Sequence, residues 1–444
     1  MDQFYTSTFG QFLMTLFSHY FIPQSLQSFM ILAQGWSLSS HRHTISTYLW
    51  LSGAVSVKHF SRYYAFLSGR FFNVMDKLWS SLIAALDCFI PEGSIIHIKV
   101  DSTTRKKSGS EIHGRDAYRN GAGTARQEYR TLLGLHFVVA IISITFGKHH
   151  LNIPIGIELY LKERWANELE LPFKSRSQLA RKLVDRAANI LPHRTLQVTV
   201  DGDYATKAFL GNLPSNVHII GRFPIDGKLY HPLDPASYSG YGRPRSKGKC
   251  IGAPRDLMHS KSGWMAHPDE AGTQIKTITG IWHSVLPKQQ IQVVVLRRLN
   301  TNNPRKKIVE AFYTTHLQLT PCEILNEYRQ RWDIEIDFRD ANAYYGLAKD
   351  QCRKYRRIVA INNFRMLMAA SRTLFCIKYL QDPDTLNLIR FRPWYRQKKQ
   401  LSQLDIDTIS REIMQAQGIF PTPCFIQDVP KITKNKYGAR QWAA

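Results

Sequence analysis

This sequence predicts an α/β fold: a mixed sheet flanked by helices, preceded by a helical N-terminal segment and interrupted by a β-rich insertion. Three observations carry that expectation. Short β-branched runs, SIIHIKV at 94–100 and LQVTV at 196–200, lie on either side of a helical pattern at 175–190, as in sheets whose strands are buried on both faces. Residues from about 10 to 90 repeat aromatic and aliphatic side chains at three- and four-residue intervals, the period of a helix face. Residues from about 222 to 315 change to turn formers and then to strand-like alternation at 275–283, 290–298 and 307–315.

Each element follows from a local signal. His41–Ser52 and Ser56–Ser68 read as two helices joined by a tight turn at Gly53, with Ser56 as N-cap of the second. The second carries Lys58, His59, Arg62 and Tyr63, as a helix-turn-helix inserting into a major groove would. A helical hairpin that only props up the core gives the same pattern, and both readings stay open. The strand at 94–100 is expected to end at Asp101. Residues 102–131 contain Gly109, Gly114, Gly121 and Gly123 and read as a long loop. Strands at 133–146 and 153–160 follow, then the helix at 175–190 and the strand at 196–200, which ends at Asp201. A helix from about 203 and a strand at 217–221 come next. After the insertion, helices are expected from Thr320 to about 341 and from about 354 to 380, before a basic, aromatic tail, RFRPWYRQKK, at 390–399. The expected segments are therefore 1–90, 91–221, 222–315, 316–385 and 386–444: helical N-terminal domain, first part of the core, β-rich insertion, C-terminal core helices and basic tail.

Composition narrows the partner. The chain has 444 residues, 59 Lys+Arg against 34 Asp+Glu, and a formal charge of +25, with a pI near 9.8. Such a balance attracts polyanions, nucleic acid first and a membrane surface second. The most apolar run, Leu132–Gly147, carries His136, Ser143 and Thr145 and falls short of the roughly 20 apolar residues a spanning helix needs. Its Val and Ile content suits buried strands. MDQFYTSTFG has no basic region ahead of an apolar core, so no secretory signal is expected. Six cysteines (Cys88, Cys250, Cys322, Cys352, Cys376, Cys424) show no CxxC spacing; they read as reduced thiols of a cytoplasmic protein, with no zinc site or disulfide framework.

Three acidic residues stand out. Asp101 in KVDSTT and Asp201 in TVDGDY each follow a β-branched strand, and ligand-binding groups gather beyond strand ends in α/β sheets. One such Asp alone is more often a turn former or a helix cap; two behind similar strands point to a site. Asp203 is the rival to Asp201 and reads as a helix N-cap. The third is Glu335, in YRQRWDIEIDFRD. Tyr328, Arg331 and Glu335 lie three and four residues apart, so on one helix they share a face, placing a carboxylate beside a guanidinium suited to bidentate phosphate contact. Asp333 and Asp337 flank Glu335 but fall off that face.

The segment Tyr328-x2-Arg331-x3-Glu335 resembles the signature of the DDE transposases of bacterial insertion sequences, which in one branch reads Y-x2-R-x3-E-x6-K. Arg331-Trp332, Ile334, Phe338 and Tyr345-Gly346-Leu347 fit the flanks of that signature. Asp101-Ser-Thr-Thr resembles the branch's first aspartate motif and Asp201-Gly-Asp-Tyr its second, with gaps of 100 and 134 residues. The second gap has room for the β-insertion this branch carries. The resemblance covers roughly 95–350, and it departs at Asn342, which stands where the signature has lysine. Asn342 can bond a phosphate oxygen without supplying charge; Lys349 or Arg339 are the candidates to compensate.

The resemblance implies a ribonuclease H-like core and a DNA transposase, bacterial and nucleoid-associated. It would use two Mg²⁺ ions, with Mn²⁺ as a substitute, to cut at transposon ends and join them to target DNA. Hard divalent ions suit oxygen ligands, and a pair about 3.5–4 Å apart can activate a nucleophile and stabilise the leaving oxygen. Asp101 would bridge both ions, Asp201 hold one and Glu335 the other. Water would attack first and the freed 3′-OH second, with no covalent protein–DNA intermediate; relatives of this branch often pass through a hairpin at the transposon end. The partners implied are double-stranded DNA, as terminal inverted repeats and target, and a second copy of the chain, since two ends must be paired. The residues expected on DNA are Tyr328, Arg331, Asn342, Lys58, Arg62, Arg105, Lys106, Lys107, Arg245 and Lys247, within basic stretches at 102–131, 243–249, 353–357 and 390–399. Trp264 or Trp282 would stack on an unstacked base or belong to the core. Two alternatives share the site: a transposase-derived DNA-binding protein that no longer cuts, and a ribonuclease H-like nuclease acting on other nucleic acids.

Overall fold

The computed structural model describes residues 2–40, 42–119, 131–146, 149–233, 245–300, 303–380 and 401–419. The basic tail at 390–399, Arg126, Arg130, Arg243 and Cys424 lie outside these residues. The chain begins with helices α1 (Asp2–Thr6), α2 (Thr8–Phe17), α3 (Pro23–Leu38), α4 (Ile45–Leu51), α5 (Phe60–Phe66) and α6 (Phe72–Asp87). Strands β1 (Ile96–Lys106), β2 (Asp116–Arg119), β3 (Thr131–Phe146) and β4 (His149–Tyr160) follow, then α7 (Glu163–Glu168), α8 (Arg176–Ile190), β5 (Leu196–Val200), α9 (Lys207–Leu210) and β6 (Val217–Arg222). Next come β7 (Leu229–Tyr230), β8 (Cys250–Gly252), α10 (Pro254–Leu257), β9 (Met265–Ala266), β10 (Thr273–Ile281), β11 (Gln290–Asn300) and β12 (Asn303–Thr314). Helices α11 (Pro321–Gln330), α12 (Asp333–Asp340) and α13 (Tyr355–Tyr379) and a last helix at Gln403–Ala416 complete the described chain.

The twelve strands among the described residues form one mixed sheet, in the order β2-β3-β1-β5-β6-β12-β11-β10-β7-β8, with β4 on β3 and β9 on β10. Among the described residues only β1, β5 and β6 run parallel to one another; the long β1–β3 and β3–β4 pairs are antiparallel. The strands of the expected insertion continue the same sheet, because β12 pairs with β6 from Phe312↔Arg222 to Thr314↔Ile220. Every residue of β5 is buried, as its continuous apolar run predicts.

Among the described residues two apolar clusters hold the layers together. The larger runs from Phe4 to Ile419 and joins the N-terminal helices to the sheet and to α13. Polar anchors cross the same boundary: Trp79 Nε1 donates to Asn363 Oδ1 at 2.8 Å and Trp36 Nε1 to the Tyr345 carbonyl at 3.3 Å. Arg365, fully buried, donates to the Gly346 carbonyl at 2.8 Å, to Tyr48 Oη at 3.2 Å and to the His43 carbonyl, and pairs with Asp350 at 3.4 Å. The smaller cluster, Ile220, Ile275, Val294, Leu296, Phe312, Ile324 and Leu325, seats α11 against β6, β10, β11 and β12.

Several expected boundaries move. β1 continues through Asp101 to Lys106, because β3 pairs with it residue by residue to Lys106↔Gly134; the expected loop at 102–131 is therefore strand at its start and again at β2. The second helix of the expected helix-turn-helix starts at Phe60, not at Ser56. His59 is its N-cap, with the ring nitrogen accepting from Ser61 N, and it runs on through a π-turn at Leu67–Phe71 into α6. Trp50 on α4, Val55 in the turn and Phe60 at the start of α5 are exposed beside His59 and Arg62. The helix expected from Thr320 to 341 is interrupted at Arg331–Trp332, where bonds of the i→i+3 type (Ile334 N to Arg331 O, Glu335 N to Trp332 O) tighten the turn. Among the described residues no helix is long and apolar enough to cross a membrane, and the five described cysteines are free thiols.

Candidate active site

The parallel pairing of β1 with β5 ends at Val100↔Val200, so the next residue on each strand is an aspartate and the two lie abreast. Strand geometry accounts for this: neighbouring strands lie about 4.8 Å apart and an in-register parallel pair keeps equivalent residues side by side. The strands then diverge. β5 stops, and Asp201 Oδ1 accepts from Gly202 N at 2.8 Å while the chain enters a 3-10 turn at Gly202–Tyr204. β1 continues, and Asp101 Oδ1 accepts from Ser102 N at 2.7 Å.

Helices α11 and α12 bring the remaining groups. Thr320 starts α11 with a capping box to Glu323, and Pro321 sits in its first turn. From its far end Tyr328 Oη donates to Asp201 Oδ1 at 3.3 Å. Arg331 Nη1 donates to Asp101 Oδ2 at 2.6 Å, and Arg331 Nη2 lies 3.6 Å from Glu335 Oε1. One guanidinium therefore spans Asp101 and Glu335, with Tyr328 on Asp201 beside it. The side chains of Asp101 and Arg331 are 17% and 14% exposed, against 40% for Glu335, so the site opens to solvent on the glutamate side. A cavity of about 380 Å³ adjoins it, lined by Leu296, Phe312, Leu325, Tyr328, Arg331 and Trp332 among others.

The electrostatics follow from burial and crowding. Burial raises the Asp101 carboxyl to about 6; Arg331 and the Ser102 N–H oppose the rise, and the Asp201 and Glu335 charges add to it. Burial also raises the Tyr328 hydroxyl, keeping it a neutral donor. Three carboxylates facing one guanidinium leave this spot acidic within a chain of net charge +25. Among the described residues no three His, Cys, Asp or Glu side chains stand close enough together to hold a metal ion; Arg331 lies between the acids. The donor set, all carboxylate oxygen, would suit a hard divalent ion, and the Arg331 guanidinium supplies positive charge beside Asp101 and Glu335.

The other expected site residues fall into groups. Asp203 is exposed and pairs with Arg176 at 3.1 Å; the cap it was expected to form is made by Asp201. Asp333 turns to Lys99 at 2.7 Å, and Asp337 is buried with its carboxyl held well above the usual range by burial and by Asp340, so both leave the Glu335 face as expected. Asn342 and Lys349 are exposed, and Arg339 pairs with Asp340 at 3.1 Å. Arg105 donates to the Phe338 carbonyl, and Lys107 reaches the Asp350 carbonyl, its side chain only 10% exposed; both serve the fold from inside. Lys58 donates to the Gln24 carbonyl at 3.2 Å. Arg62, Lys106, Arg245 and Lys247 are exposed, Lys247 lying 5.2 Å over the Tyr230 ring. Trp282 is a core residue, packed against Phe223 and Tyr313. Trp264 is covered by Arg297, whose guanidinium sits 3.9 Å from the ring centroid.

Two further contacts were missed from the sequence. On β1, His97, Lys99 and Asp101 alternate onto the face that meets α11 and α12. His97 Nδ1 lies 2.9 Å from Glu327 Oε2 and Lys99 Nζ 2.7 Å from Asp333 Oδ2. The available signal was polar residues at every second position of an otherwise apolar strand.

Comparison with curated proteins gives no match. The family model described as DDE superfamily endonuclease matches residues 30–284, a span that includes Asp101 and Asp201 and stops before Glu335. With more than half of the sequence matched and its two aspartates abreast on neighbouring parallel strands, the chain belongs to the DDE superfamily endonucleases.

Proposed function

We propose that the protein is a DNA transposase that cuts at transposon ends and joins them to target DNA, with Asp101, Asp201 and Glu335 as its metal-binding carboxylates. The observation that carries this reading is the meeting of Asp101 and Glu335 across a single guanidinium, from positions 234 residues apart, with Asp201 beside Asp101 in register. Nothing in the connectivity requires three distant acids to converge at an opening; a site does.

Asp101, central in the group, would hold both ions, Asp201 one and Glu335 the other. When bound, divalent ions stabilise charge building on a phosphate and lower the pKa of a bound water. The protein's own groups do the rest. Tyr328 donates to Asp201 and fixes its carboxylate plane. Arg331, once exchanged from the carboxylates, becomes the guanidinium beside the reacting phosphate, where its fork suits two oxygens. Water attacks phosphorus and the P–O3′ bond breaks, leaving a 3′-OH as the nucleophile for strand transfer. Exposed Arg62, Lys106, Arg245 and Lys247 supply sequence-independent phosphate contacts. A second copy is required to pair two ends.

The test is cleavage of a plasmid carrying the DNA that flanks the coding sequence in its source genome, in Mg²⁺, by the wild type and by Asp101→Asn, Asp201→Asn and Glu335→Gln. Nicking at a defined position that all three variants abolish is expected; any variant that still nicks removes its residue from the role. Binding to that DNA without nicking by the wild type would favour the second reading, a DNA-binding protein that no longer cuts, for which the uncharged Asn342 at the signature's lysine position is the supporting observation. Cleavage without end specificity would favour a general nuclease.

A further inference from the structure

Lys99 is the most deeply buried ammonium near the site, its side chain 1% exposed, and the contact that neutralises it is Asp333 Oδ2 at 2.7 Å. Lys99 stands two residues before Asp101 on β1, and Asp333 two residues before Glu335 at the start of α12. The pair therefore ties the strand that carries one proposed metal ligand to the helix that carries another, at the same offset from each. Asp333 lies in the first turn of α12, where a carboxylate is also favoured by the helix dipole.

We infer that Lys99 and Asp333 are positioning residues, a buried cross-link that sets the approach of Glu335 to Asp101. This rests on the reading of the three carboxylates given above. Three other links join β1 to these helices. The Arg105 bond to the Phe338 carbonyl holds the far half of α12, beyond Glu335, rather than its start. The Arg331–Asp101 pair is made by the site's own groups and is given up when a cation takes the place of the guanidinium. The His97–Glu327 pair holds α11, on the other side of the tightened turn at Arg331–Trp332. Lys99–Asp333 is the ion pair that fixes the start of α12 to β1 without using any of the three carboxylates. Moving α12 away from β1 would strand a buried ammonium without its partner, which is strongly unfavourable. Replacing both partners by neutral side chains removes that constraint without leaving a buried charge, which separates positioning from stability.

The experiment compares wild type, Lys99→Met/Asp333→Asn, Lys99→Arg and Asp101→Asn by thermal melting, by Mn²⁺ titration of the full chain followed by electron paramagnetic resonance, and by plasmid nicking. The double variant is expected to melt within about 3 °C of wild type while its Mn²⁺ affinity falls about tenfold or more. Its turnover should fall about a hundredfold with the DNA KM little changed, as displacement of a reacting group by about 1 Å does. Lys99→Arg, which keeps the charge, should retain affinity within about threefold. Wild-type affinity in the double variant overturns the inference. If the double variant fails to fold, Asp333→Glu is used instead: it keeps the pair but pushes the helix start outward, and unchanged Mn²⁺ affinity there overturns the inference as well. Asp101-dependent Mn²⁺ binding that the double variant retains removes this inference alone; a wild type with no Asp101-dependent binding removes the site assignment and this inference with it.

Discussion

Asp101→Asn is expected to stabilise the metal-free protein at alkaline pH while abolishing cleavage. Burial raises the Asp101 carboxyl from 3.8 to about 6 in the folded chain. A carboxyl raised on folding holds its proton more tightly in the native state. Its contribution to stability is therefore fully present below about pH 4 and is lost as pH rises through about 6. At about 1.4 kcal/mol per unit, ionising Asp101 above that pH costs about 3 kcal/mol. Asparagine is the neutral isostere and escapes that cost. With an unfolding entropy of about 2.1 cal/mol/K per residue, the gain in a chain of this length corresponds to a rise in Tm of about 3 °C. The assay is differential scanning calorimetry at pH 4, 6 and 8 in chelator and then in Mg²⁺. The advantage of the variant should be absent at pH 4, grow through pH 6 and level off by pH 8. Saturating Mg²⁺, at about 100 times its Kd, should return about 2.7 kcal/mol to wild type alone. An Asn variant that melts below wild type at pH 8 would mean that the Arg331 pair outweighs burial, and the reasoning would fail.

Three further outcomes are expected. Arg331→Gln should bind Mn²⁺ about fivefold or more tightly than wild type in the absence of DNA, because a cation competing for Asp101 and Glu335 is removed; isothermal titration showing equal affinity would mean that the guanidinium does not compete. Lys247→Ala should lower the salt dependence of DNA binding by about 0.9 in log–log slope, whereas Lys107→Ala should leave the slope unchanged and lower Tm, since its ammonium is held by Asp350; fluorescence anisotropy over a salt series reads the first and melting the second. Arg365→Met should cost about 3–5 kcal/mol by removing the guanidinium that bonds the buried Gly346 and His43 carbonyls and by leaving Asp350 with Lys107 as its remaining cationic partner, measured by urea denaturation.

Much of the candidate site was legible because its signals are local. β-branched runs mark β1 and β5, the acids follow them directly, and the spacing of Tyr328, Arg331 and Glu335 follows helix geometry. The tightened turn at Arg331–Trp332 leaves those three on one side, so their shared face persists across a break that helix spacing does not show. What local signals missed was settled by distant pairing. Residues 102–106, STTRK, look like loop by composition, yet β3 offers them a full set of backbone partners, and tertiary context overrides propensity. Arg105 and the neighbouring Lys107 were expected on DNA; instead they find the carbonyls of Phe338 on α12 and of Asp350 in the turn before α13, contacts no window of sequence contains. The cross-link at Lys99 was hidden for the same reason, since its partner lies 234 residues away. Continuity of the insertion strands with the core sheet depends on three residue pairs between β6 and β12, too few to leave a compositional mark.

The adjacency of β1 and β5 has a consequence for what the chain tolerates. Because Val100↔Val200 is the last rung of a parallel ladder, the separation of the two aspartates is fixed by main-chain hydrogen bonding, whatever the length of the excursion between them. Lengthening the turns between β3 and β4 or around α7 leaves it untouched. Deleting a single residue between Ile96 and Val100 would swing Asp101 to the opposite side of the sheet. Five residues of strand thus constrain the chemistry more tightly than the ninety-odd that intervene.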